Sequence, residues 1–201
     1  TFNQYTCEPL RMLLAKDLLH KQFGKVYIES EDLDSYKGGD KKIPYLIETE
    51  IKGVDLLAIR YEQLWSEAPL PLENAKDAFR VIAGDFVTTE EGTGIVHTAP
   101  TFGADDAKVA KEASPEVPPL LVLDENGTQV PLVDLKGRFR KEVGRLGNRF
   151  VKNEYYPEGT APDRSTDVEI AIQLKGENKA FKVEKYVHSY PNCWRTDKPI
   201  L

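Results

Sequence analysis

The sequence predicts a β-rich α+β domain, a barrel with peripheral helices, and three observations predict it. Leucines recur at helical spacing near the start. Short β-branched and aromatic runs, bounded by turn residues, fill the middle. Two later stretches open on residues that favour helix starts. The 201 residues, 40% hydrophobic and 30% charged, suffice for one domain with a real core and exclude a disordered chain.

Leu10, Leu13, Leu14 and Leu18, with Pro9 suited to a first turn and Gly24 as a stop, predict a helix over about residues 8–22. Ser35 to Asp40 is polar and glycine-bearing, a loop before a strand from Pro44 to Thr49. Strands are expected at Phe79 to Val87 and Ile95 to Thr98, on either side of Thr88 to Gly92. Asp105 to Ala113 reads as a short helix with Asp105 as its cap and Asp106 in its first turn. Leu120 to Leu123 and Gln129 to Val133 form a hairpin across Asp124-Glu125-Asn126-Gly127. From Asp167 to Leu174 the apolar residues alternate as in a strand, but Thr166 and Glu169 make a capping box, and helix is preferred. The loop at 156–164 is too short for a domain linker, so residues 1–201 are expected to be a single domain.

With 27 basic and 33 acidic residues the net charge is −6, which argues against a surface that wraps nucleic acid but leaves a local anion contact open. No apolar run approaches the ~20 residues that span a bilayer. Residues 1–25 lack the order of a secretory signal, so no membrane is expected and the cytoplasm is the default location. Cys7 and Cys193 stand at opposite ends with only His20, His97 and His188 besides, and no metal site is expected.

Reactive and permissive residues concentrate from Gly92 to Asp106. A strand expected to be buried ends on His97, and a Pro and Gly loop then brings two carboxylates to a helix start. Each residue has a plainer role: interior imidazole for His97, cap for Asp105, helix-dipole partner for Asp106, turn residues for Gly92 and Gly94. No glycine pattern for a nucleotide phosphate is present. A second concentration, Tyr186 to Pro199, contains Ser189, His188 and Asp197. His188 and Ser189 are neighbours that point to opposite faces of an extended chain, so a nucleophilic triad is a weak match and a packed aromatic segment the plainer account. Lys37, Lys41 and Lys42 read as a solvated loop.

Gly92-Thr93-Gly94-Ile95-Val96-His97-Thr98-Ala99-Pro100, followed by Phe102-Gly103-Ala104-Asp105-Asp106, resembles the pocket motif of the editing domains that class I aminoacyl-tRNA synthetases for isoleucine, valine and leucine insert into their catalytic fold. His188-Ser189-Tyr190-Pro191 with Cys193-Trp194-Arg195 resembles the segment that returns to the synthetase body. Gly137-Arg138-Phe139 and Asn153-Glu154-Tyr155-Tyr156-Pro157 also fit, so the resemblance covers essentially the whole chain, most closely the isoleucyl type.

The resemblance implies a barrel-like domain that hydrolyses the ester of valine on tRNA(Ile). One missing methylene supports only about 10–200-fold discrimination, and isoleucyl-tRNA synthetases, near 150-fold, are a known instance adopted here. The implied partners are the valine-bearing 3′ end of tRNA(Ile) and the rest of the synthetase in cis. No cofactor is implied for this domain, since ATP and magnesium belong to the synthetic domain. Asp106 matches the editing aspartate that holds the substrate ammonium, His97 the residue that limits side-chain size, and Thr98 and Phe102 complete that wall. The family's Thr-Pro-Trp-Thr stretch does not occur in the sequence, and Asn192 stands where a histidine is common. The isolated chain is therefore expected to carry only part of the pocket. The alternatives are an inactive module that binds the aminoacylated 3′ end, a valyl-type domain acting on Thr-tRNA(Val), and a metal-dependent hydrolase using His97, Asp105 and Asp106.

Overall fold

The strands that form are three residues long, shorter than most of the runs the sequence offers, and their ladders are short. The computed structural model describes residues 1–185 and 191–200. They fall into two units.

The first unit comprises residues 1–57, 83–97 and 174–182. Its opening ten residues close on themselves: Phe2 bridges Pro9, the Leu10 N–H donates to the Thr1 carbonyl at 2.8 Å, and Cys7 takes a left-handed conformation. The helix expected over 8–22 is therefore corrected to a 3-10 turn, Lys16–Leu18, running into α1, Leu19–Phe23. Leucine spacing suited a longer helix, but the hairpin has already used the backbone of residues 1–10. Gly24 stops α1 as expected, at φ 53°. Strands β1, Tyr27–Glu29, and β2, Ile43–Tyr45, pair in parallel with Tyr27 opposite Ile43 and Glu29 opposite Tyr45. β2 thus starts a residue early and stops short of Thr49. Phe23, Tyr27, Ile43 and Tyr45 form the core, with Phe181 packed on it at ring separations of 5.6 Å from Phe23 and 5.3 Å from Tyr27.

A fully buried Asn3 ties residues 178–181 to this unit. Its amide donates to the Ala180 carbonyl at 2.9 Å and its oxygen accepts the Tyr5 N–H at 2.8 Å, so both polar ends are satisfied. Gln4 adds a bond to the Phe181 carbonyl at 2.8 Å.

The second unit comprises residues 58–82, 98–173 and 183–201. Helix α2, Ala104–Glu112, agrees with the expected helix to one residue at each end. The expected hairpin is present as antiparallel β3, Leu121–Leu123, and β4, Gln129–Pro131. Asp124 closes its turn by accepting the N–H groups of Asn126 and Thr128, and Gly127 supplies the positive φ of 76°. Single bridges extend the pairing, Val133 to Phe139 and Arg138 to Phe150. Val122, Leu132, Val143 and Leu146 make the core, flanked by Trp65, Phe139 and Ile170. The ambiguous stretch is helical, α3, Thr166–Gly176. Its entrance differs in detail: the Ser165 hydroxyl receives the Val168 N–H at 3.4 Å, while Thr166 donates to the Phe150 carbonyl at 2.7 Å.

Two expected strands are corrected. Within Phe79 to Val87 only residues 79–81 pair, with 58–61, and Phe79 has a positive φ of 50°. Ile95 to Thr98 forms no strand: the Thr93 hydroxyl bonds both the N–H and the carbonyl of Ile95, and Ile95 and Val96 are about half exposed. The α+β class stands. Among the described residues the strands form two separate two-stranded sheets and no closed barrel. Pro44 and Pro131 lie within β2 and β4, where each removes a ladder donor. No helix among the described residues is long and apolar enough to cross a membrane.

Burial pushes the Tyr27 phenol up to about 12 from an ordinary value of 10, against a smaller opposing effect of the Gln4 backbone, and only the neutral hydroxyl can donate to the Phe2 carbonyl as it does at 3.1 Å. A folded-state value above the unfolded one means that neutral Tyr27 contributes stability fully below pH 10, lost as pH rises toward about 12. The ultraviolet phenolate difference spectrum between wild type and Tyr27→Phe should therefore show one group ionising near pH 12, and a transition near pH 10 would contradict the burial assigned to it.

Candidate functional site

The loop before α2 is built around one carboxylate. Gly103, extended at φ −99°, is the residue at the helix N-cap, and no side chain caps there. Asp105 is thus not the cap, a correction to the sequence expectation, since the helix starts one residue earlier and places Asp105 and Asp106 both in its first turn. Asp106 instead reaches back, and its Oδ2 accepts the Ala99 N–H at 3.1 Å. The Ala99 carbonyl in turn receives the N–H groups of Phe102 and Gly103, at 3.1 and 3.2 Å. Residues 99–103 are closed from both ends. The Thr101 hydroxyl fixes the loop beside β3, accepting the Leu120 N–H at 3.1 Å and donating to the Leu120 carbonyl at 3.4 Å.

Gly103 has a second role. A Cβ there would lie 2.5 Å from Asp106 Oδ2 and 2.8 Å from its Cγ, so the carboxylate occupies the space of the missing side chain. Asp106 is half-buried, with one oxygen bound to backbone and the other without a hydrogen-bond partner among the described residues. A carboxylate in that state can take a charge-assisted hydrogen bond from a ligand cation, an ammonium above all.

Thr98 is half-buried and Phe102 is 55% exposed. Both belong with Asp106 to the loop and helix of the second unit, whereas His97 is an exposed residue at the end of the first unit's second segment. The four sequence-predicted residues therefore do not fall in one unit.

The glycines before His97 serve the local fold in different ways: Gly92 is a turn residue at φ 66° with open space beside it, and Gly94 serves packing. Gly94, at φ 76°, lies where a Cβ would come 2.5 Å from the Ala15 Cβ, and the Ala15 N–H donates to the Thr93 carbonyl at 2.8 Å. That close approach is to the chain itself. The Gly92 carbonyl likewise accepts from the Gln22 amide.

In the return segment, residues 186–190 lie outside the described residues, so His188 and Ser189 do too. Residues 191–200 repeat the hairpin pattern of residues 1–10: Asn192 bridges Pro199, and Asp197 stands at φ 54° where Cys7 stands at 60°. Trp194 is 85% exposed beneath the Arg195 guanidinium, not packed as expected. Thr196 and backbone N–H groups bond the Cys193 sulfur and hold its thiol below the ordinary range. Among the described residues no cluster of three metal-ligating side chains occurs.

Sequence inspection missed an arginine group in the second unit. Arg145, Arg164, Glu169, Ile172 and Gln173 line a cleft of about 410 Å³, and Arg149 grips Glu169 at 2.7 Å. Those residues are scattered over 29 positions without a motif, and only folding assembles them.

Compared with known proteins, the chain matches no family model. It is 50% identical to the isoleucine–tRNA ligase of Cytophaga hutchinsonii, 46% to that of Bacteroides fragilis and 44% to that of Porphyromonas gingivalis, in each case over the whole of this chain. The chain spans about 18–19% of the length of these relatives.

Replacing Gly103 with alanine should force the Asp106 carboxylate to rotate and release the Ala99 N–H. The loss of a hydrogen bond to a charged group predicts a destabilisation of about 1–3 kcal/mol, with an upfield shift of the Ala99 amide proton. An unshifted Ala99 amide would show that the carboxylate does not depend on Gly103.

Proposed function

The chain belongs to the isoleucine–tRNA ligase family, and from that premise we propose that it is the editing domain of such an enzyme, hydrolysing the ester that joins valine to tRNA(Ile). The observation that carries this reading is the Asp106 carboxylate, fixed on the Ala99 N–H before α2 with its second oxygen open. An editing site must hold an α-ammonium so that the neighbouring ester carbonyl faces water, and a carboxylate locked on backbone supplies that anchor without further ordering cost.

In this reading residues 1–201 form a single editing domain with the barrel-like fold of the family, lodged in the synthetase body and acting in the cytoplasm. The whole enzyme attaches isoleucine to tRNA(Ile) with ATP and magnesium in its synthetic domain, while this segment works without a cofactor. Selection is steric. His97 limits the side chain that fits, Thr98 and Phe102 complete the wall, and valine enters where isoleucine does not. Asp106 positions the substrate, and water attacks the carbonyl carbon, releasing valine and the free ribose hydroxyl. A second sieve is needed because the first gains so little from one methylene.

The test is deacylation of Val-tRNA(Ile) by the full-length enzyme. Asp106→Ala should lower the rate by about 100-fold or more, the scale of losing substrate position. An unchanged rate would overturn the assignment. His97→Ala should open the sieve, so that Ile-tRNA(Ile) is hydrolysed as well, and continued protection of the correct product would remove His97 from the wall.

A further inference from the structure

The arginine-lined cleft of the second unit has no part in the ester chemistry, yet its charge is not balanced. Arg149 Nη1 lies 2.7 Å from Glu169 Oε2 and so neutralises the acid that lines the cleft. Its other amino group donates to the Arg164 carbonyl at 3.1 Å, which fixes the backbone there. Arg145 meets Glu67 only at 3.5 Å, and its guanidinium lies over the Trp65 ring at 5.4 Å. Arg164 is exposed and has no ion-pair partner among the described residues. The Glu169 carboxyl is held below the usual range by its bond to Arg149, with Arg145 and Arg164 adding to the same field. Of the two guanidinium groups that line the cleft, Arg145 is shared with Glu67 and Arg164 has no acid of its own, while the lining acid Glu169 is already paired with Arg149.

Guanidinium forks match phosphate oxygens, and this cleft of about 410 Å³ is more than a bare ion needs. Ile172 offers an apolar wall and Gln173 an amide, suited to the sugar and base of a nucleotide. We propose that this cleft holds one nucleotide of the tRNA strand, its backbone phosphate on Arg164 and Arg145. The tRNA as source rests on the editing function proposed above; the phosphate chemistry rests on the cleft alone.

The experiment measures binding of uncharged tRNA(Ile) to the full-length enzyme as a function of salt, for wild type, Arg164→Gln and Arg164→Lys. The Arg164 side chain makes no bond to the rest of the described structure, so both variants should keep the wild-type melting temperature. Loss of one phosphate contact should weaken tRNA binding and reduce the slope of log K against log salt by about 0.7–0.9 in Arg164→Gln, with the slope kept in Arg164→Lys. An unaltered slope in Arg164→Gln, or an equal loss in Arg164→Lys, overturns the proposal. AMP and inorganic phosphate are titrated in parallel. Binding of either that Arg164→Gln abolishes, with the tRNA slope unchanged, assigns the cleft to a free phosphate compound and overturns the tRNA source. Asp106→Ala is measured beside these variants: normal deacylation there would sink the editing function, whereas the salt slope judges the cleft independently.

Discussion

Backbone groups left over by short strands must find partners, and in this chain aspartate side chains provide them. Asp32, Asp40, Asp106, Asp124 and Asp134 each accept one or more backbone N–H groups from no more than seven residues away. With ladders only three residues long, most of the chain lies in turns, where an unpaired N–H near the core costs as much as a lost hydrogen bond. Asp134 shows the device most fully. It receives the N–H groups of Lys136 and Arg138 and an ion pair from the Arg138 guanidinium at 3.0 Å. Burial works against its ionised form, but these bonds prevail and hold its carboxyl below the usual range. The same device makes the candidate site. Asp106 is a loop clamp with an oxygen to spare.

Local chemistry was legible in the sequence, and reach was not. The Asp124 to Gly127 turn, the Gly24 stop and α2 follow from residues that act on near neighbours, and each is where expected. The first helix was overextended because leucine spacing carries no information about the hairpin that engages residues 1–10. Ile95 and Val96 read as a buried strand, yet a neighbouring threonine turns the backbone away and leaves both half exposed. Gly94 reads from the sequence as a turn residue, whereas the neighbour that requires a glycine there, Ala15, lies 79 positions away and leaves no local signal.

The candidate site was legible as a segment and not as a geometry. Asp106 stood out by its place in a motif, whereas its bond to Ala99 and its occupation of the space over Gly103 belong to the folded chain. The arginine cleft left no trace in the sequence, because net charge averages it away. A formal −6 coexists with a local excess of guanidinium groups, and only the second quantity bears on where a phosphate could rest.

The buried Asn3 has a consequence for synthesis. Its amide meets the Ala180 carbonyl across a sequence separation of 177 residues, while no pair of the β3–β4 hairpin is more than ten apart. A ribosome adding about 5–20 residues per second needs roughly 9–35 s to cover that interval. Throughout it, the first unit's aromatic core waits for Phe181, with Tyr27 and Phe23 uncovered on that side. The second unit can gather its hairpin at once. Vectorial growth thus seals the upstream residues of the first unit later than the hairpin of the second, although they are made before it.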